Sequence, residues 1–184
     1  PEAISPRMDD RAIVAAQIGR PPRSRVDVVV RCPLELPVVI EVPPLLDDGT
    51  PFPTRFWLSC PLAPKRVSRL ESAGGVKAAE NSLDAEPVLG TSNEAAIERY
   101  LHERDPLIPD DSEAPRQRGG VGGATARVKS LHAHYADHAA GSDNPVGENV
   151  AADVEPLNCT IPCVVATEGE IVRNPAWVEP TGEA

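Results

Sequence analysis

Asp47-Asp48-Gly49-Thr50-Pro51-Phe52-Pro53-Thr54-Arg55-Phe56-Trp57-Leu58-Ser59-Cys60-Pro61 holds three aromatic residues, in a chain with only two Trp, two Tyr and two Phe. Asp48-Gly49 marks a turn. Phe56-Trp57-Leu58 then reads as a strand that stops at Cys60-Pro61. Upstream, Val38-Val39-Ile40-Glu41-Val42 and Val26-Asp27-Val28-Val29-Val30 are β-branched runs bounded by prolines, the signature of two more strands. Three short strands in succession predict a small antiparallel sheet over about residues 25–60.

Helical patterns flank that sheet. Residues 9–18 carry Asp9 or Asp10 as a cap and Gly19 at the far end. Residues 64–73 begin with Pro64 and stop at Gly74-Gly75. In residues 92–104, Ser92 is positioned to cap, and Ile97, Tyr100 and Leu101 share one side. The strongest pattern covers residues 124–140, where Ala124, Val128, Leu131, Tyr135 and Ala139 form an apolar stripe. Residues 106–120, acidic and then rich in Pro and Gly, read as a mobile loop, and an irregular tail is expected from about 150. The expected architecture is α+β: three or four helices over the sheet, one domain over 1–150, and an irregular or partly disordered tail over 151–184.

Composition bounds the function classes. The 184 residues carry a net charge of −10, which argues against nucleic-acid binding, because phosphate neutralisation needs a basic surface. Arginines at 7, 11, 20, 23, 25 and 31 nonetheless make a locally basic N-terminal face. The 21 prolines and 13 glycines are under a fifth of the chain, below the roughly 25–30% of low-complexity segments. No stretch approaches the roughly 20 apolar residues of a membrane span, and no signal peptide opens the chain. Four scattered cysteines do not resemble a disulfide scaffold, so cytoplasm is the expected compartment.

Several segments together resemble the bacterial domain-of-unknown-function family 501, common in high-GC bacteria. They are Asp10-Arg11 through Gly19-Arg20-Pro21-Pro22-Arg23, then Arg31-Cys32-Pro33, and Asp48-Gly49-Thr50-Pro51-Phe52-Pro53-Thr54 with Leu58-Ser59-Cys60-Pro61 after it. Arg69-Leu70-Glu71-Ser72-Ala73-Gly74, Arg127-Val128-Lys129-Ser130-Leu131-His132 and Asn144-Pro145-Val146-Gly147 follow in order. The resemblance carries no established activity. It implies, by gene neighbourhood with a septum-formation initiator and an exopolyphosphatase-like protein, a partner tied to cell division or the envelope. Members often have a second cysteine just after the position of Cys32, where this chain has Leu34 or Glu35, and another where Ser130 stands.

Four sets of residues are chemically interesting. Cys32, Cys60, His132 and His138 offer the four N/S donors of a tetrahedral zinc site if the helix packs over the sheet. On the helical wheel His132 and His138 flank the stripe and His134 lies toward solvent, although only His134 and His138 have the i,i+4 spacing of a shared metal. Cys159 and Cys163, a C-x3-C pair, would instead complete a set with Cys32 and Cys60. The bland alternative is buried apolar thiols and locally bonded histidines. Second, Gly122 and Gly123 lead into a helix bearing Thr125, Arg127 and Lys129, an arrangement suited to an anion. Third, Cys60 with His132 is a candidate nucleophile and base, given an electropositive setting. Fourth, Arg20, Arg23, Phe52, Phe56 and Trp57 offer a proline/aromatic and basic surface for a partner protein.

Two functions follow. The first is a non-enzymatic interaction or adaptor domain. The second is a metal- or anion-binding domain, extending to an enzyme acting on a phosphorylated or otherwise anionic small molecule.

Overall fold

The computed structural model describes residues 9–180; Arg7 of the basic face and the last four residues of the tail lie outside them. The fold is α+β. Strands β1 (Asp27–Arg31), β2 (Pro37–Glu41) and β3 (Phe56–Leu58) form an antiparallel sheet in the order β1-β2-β3. Ile40 stands opposite Val28 on one side and Trp57 on the other. β2 is central and buried on both faces, from Pro37 to Ile40, which is why its β-branched run barely alternates.

Helix α1 (Asp10–Ile18) covers one face. The Asp9 carboxylate accepts from the Arg11 N–H at its start, and Gly19 ends it in the left-handed conformation (φ 74°). Its Val14 packs with Ile40 and Val42. The opposite face carries the main core, where Val39, Phe56 and Leu58 meet Leu62, Val67, Tyr100, Leu131, Tyr135 and Val150. Those residues come from α2 (Leu62–Ser72), α4 (Pro87–Arg104), α5 (Leu131–Ala139) and α6 (Pro145–Val154).

Several boundaries depart from the sequence expectation, and among the described residues six helices stand where three or four were expected. Gly74 does end α2, with φ 90°, but the chain turns there directly into α3 (Gly75–Ala85). α4 starts at Pro87, a residue suited to a first helical position, so Ser92 is mid-helix and caps nothing. The expected helix over 124–140 exists only from Leu131. Ala124 and Val128 are buried, but in a non-helical segment, a use of apolar residues that period alone does not separate from a helix. The start at Leu131 is fixed from elsewhere: its N–H donates to the Glu71 carboxylate of α2 at 2.7 Å.

The 106–120 segment is anchored at its far end. Arg104, 1% exposed, donates to the carbonyls of Gly119 (2.7 Å) and Gln117 (2.5 Å) and to Asp105. Gly119 and Gly120 permit this wrap, since an added Cβ would lie 2.2 Å from the Gly123 carbonyl oxygen and 2.6 Å from that of Ile97. The described part of the expected tail, up to residue 180, includes regular elements. α6 runs through 154, and β4 (Val164–Thr167) pairs antiparallel with β5 (Glu170–Arg173). That hairpin returns to the N-terminus, where Arg173 donates to the carbonyls of Ala16 and Gln17 and so satisfies the last turn of α1.

Candidate functional site

Strand alternation divides the aromatic segment into two. Phe56 turns inward, 7% exposed, and meets Tyr100 edge to face with centroids 6.5 Å apart. Trp57, its neighbour, turns to the α1 side and stacks on Phe52 at 5.3 Å and 18°. The Arg20 guanidinium lies 5.9 Å from the Trp57 ring centroid, a cation–π contact. Ile18, Arg20, Arg23, Phe52 and Trp57 all line one open pocket of about 70 Å³. Of the five residues expected to form a docking surface, Arg20, Arg23, Phe52 and Trp57 therefore meet, and Phe56 belongs to the core instead.

The two arginines differ electrostatically. Arg23 pairs with Asp48 at 2.7 Å. Asp48 accepts hydrogen bonds from Thr50 as well, and these together with Arg23 pull its carboxyl down to about 2. Arg20 forms no ion pair among the described residues. The groove thus combines an aromatic floor, a paired cation and one with no acidic partner among the described residues.

On the other side of α1 the four cysteines meet. Cys32 follows β1, Cys60 follows β3, and Cys159 and Cys163 lie between α6 and β4; all four line one small cavity of about 10 Å³ together with Gln17. None is in a disulfide. Burial pushes the Cys60 thiol up to about 11, against a smaller opposite effect of the Ala63 and Leu62 N–H groups at the start of α2. Burial likewise raises Cys163, whose sulfur accepts from Gln17 Nε2 at 3.5 Å.

The histidines do not join them. His132 Nε2 contacts the Pro64 carbonyl and the Ser68 hydroxyl, each at 3.2 Å, and Nδ1 lies 3.1 Å from Glu71. His132 does not line the Cys60 cavity, and a thiol raised by burial is the reverse of an activated nucleophile, so the pair lacks the geometry of nucleophile and base. Among the described residues no three His, Cys, Asp or Glu side chains stand at metal-holding spacing, Cys32, Cys60, His132 and His138 included.

His134, expected toward solvent, is fully buried. Its ring N–H at Nδ1 donates to Asn144 Oδ1 at 3.0 Å, which also accepts from the Gly147 N–H and so caps α6. Asn144 Nδ2 and Arg99 both donate to Asp137 Oδ2, at 2.9 and 2.5 Å. Burial lowers the His134 pKa, keeping the ring neutral. Gly147 lets the helices touch, since a Cβ there would sit 2.2 Å from the His134 carbonyl oxygen. Asn144-Pro145, a cap followed by a first-turn proline, was the available sequence signal for this network.

The anion reading fares similarly. No helix begins at Gly123. Thr125, Arg127 and Lys129 are exposed on the non-helical segment, where Arg127 faces Asp84 at 3.5 Å and Lys129 Nζ donates to the Gly123 carbonyl. No helix of the described residues is long and apolar enough to cross a membrane.

A family model described as a protein of unknown function, DUF501, matches residues 28–152. No curated protein and no solved structure matches the chain. The match spans well over half of the sequence, and the chain belongs to this family.

Proposed function

We propose that this member of the DUF501 family is a non-enzymatic docking domain whose groove between α1 and the sheet receives an apolar side chain of a partner protein flanked by carboxylates. The observation that carries the reading is the convergence of Arg20, Arg23, Phe52 and Trp57, distant in sequence, around one pocket. Its volume of about 70 Å³ suits part of a side chain, well below the roughly 300–1,000 Å³ of sites for small molecules. The stacked Phe52–Trp57 floor supplies apolar area at little cost in conformational freedom. Arg20 supplies a charge that selects and steers an acidic segment.

The Trp57 indole N–H gives a direct readout once Trp177, the other tryptophan, is replaced by Phe. A peptide alternating Glu and Leu should shift that NMR signal saturably, whereas its Lys/Leu counterpart should not. Arg20→Glu should weaken binding by about tenfold or more, a factor worth ~1.4 kcal/mol. Indifference of the signal to the acidic peptide, or equal response to both peptides, overturns the reading.

A further inference from the structure

The cysteine cavity is assembled from three places far apart in sequence, yet all four thiols of the chain reach it. Leu34, Leu36, Pro37 and Leu157 close the rest. Its volume of about 10 Å³ is near the lower limit for one water, so it admits a guest the size of a single atom. A water would bond poorly there, because thiols are weak donors and acceptors. Gln17, whose Nε2 donates to Cys163 Sγ at 3.5 Å, is the one other side chain with a polar group in the lining. Four soft sulfur donors around a one-atom space in an apolar shell form the donor set of a thiophilic cation.

We propose that Cys32, Cys60, Cys159 and Cys163 form a structural site for one zinc ion, which ties the segment between α6 and β4 to the sheet. Cys159 and Cys163 have the C-x2–4-C spacing of zinc sites, and each of the other two cysteines precedes a proline at the end of a strand. No three of these side chains stand at metal-holding spacing among the described residues, so binding requires the sulfurs to close on the ion. Rotation between staggered χ1 wells moves a cysteine sulfur with the backbone in place, and the Cys159 segment belongs to no helix or strand. The N–H groups of Ala63, Leu62 and Gln17 directed at the sulfurs are the outer-shell donors a thiolate site uses. The ion supplies the charge that burial withholds: a coordinated thiol ionises outright and its proton leaves to solvent.

The test uses the full chain, stripped with a chelator and titrated with Co(II). Sulfur-to-cobalt charge-transfer absorption should rise to saturation at one ion per chain, and zinc should abolish it. Cys159→Ser, at a half-buried position that leaves the core intact, should weaken cobalt binding by more than the roughly 10–100-fold typical of losing an outer-shell partner, with the circular dichroism spectrum unchanged. Absence of charge-transfer absorption overturns the proposal, as does an undiminished signal in the Cys159→Ser, Cys163→Ser double variant. Formation of a disulfide on chelation with no cobalt uptake overturns it too.

Discussion

Gln17 and Ile18 are adjacent on α1, yet Gln17 enters the cysteine cavity and Ile18 the aromatic groove. The two sites differ in every physical respect. The cavity is narrow, apolar and drawn from segments far apart in sequence, with room for about one atom. The groove is open, floored by aromatics, rimmed by arginines, and built from residues 18–57 alone. A one-atom space between distant segments is too small for a macromolecule but can hold the chain together. A site on one flank keeps its rim in water, where charge selects a partner.

Core substitutions sharpen that contrast most. Leu36→Ala, at a wall of the cavity that is 2% exposed, should cost about 2–5 kcal/mol in denaturant unfolding. Phe52→Ala, on the half-buried floor of the groove, should cost less than ~2 kcal/mol while removing the peptide response. Equal losses would break the distinction between the narrow cavity and the open groove. A smaller effect separates the two neighbours on α1. Gln17→Ala leaves the buried Pro37 carbonyl without its 2.9 Å donor and should cost about 1–3 kcal/mol. Ile18→Ala should cost under ~1 kcal/mol, because its side chain already meets solvent.

Acid sensitivity gives the smallest and most selective comparison. Arg69 first, then Lys65, hold the Glu179 carboxyl down at about 2 from an ordinary 4.5, fastening the chain end to α2. Its folded-state value lies below its unfolded one, so its contribution is present above about pH 4.5 and is lost as pH falls toward 2. Glu179→Gln should therefore flatten part of the stability loss across that window in unfolding curves taken at several pH values. Asp48→Asn, at an exposed pair beside the groove, should change the same limb less, because solvent screens it. A larger effect at Asp48 would reverse the ranking of the two regions.

The local signals were enough for α1, the three strands and their antiparallel order. Caps, β-branched runs and prolines act within a few residues, and Asp9, Gly19 and the Val-rich runs behave as their chemistry requires. Alternation also separates Phe56 from Trp57 once the strand is known. The sequence offered all four cysteines and the groove's arginines and aromatics, but not which of them would meet.

Those decisions are tertiary. α5 starts at Leu131 because a carboxylate from α2, sixty residues earlier, caps it, and no window around 124–140 contains that information. His134 is buried because α6 lands on its side of α5 through Gly147, which a helical wheel does not see. The cysteines gather because the C-terminal hairpin returns to α1, where Arg173 satisfies open carbonyls. Nearest-neighbour chemistry fixes conformation over a few residues. Caps and ligands contributed from across the chain exist only after the core has closed.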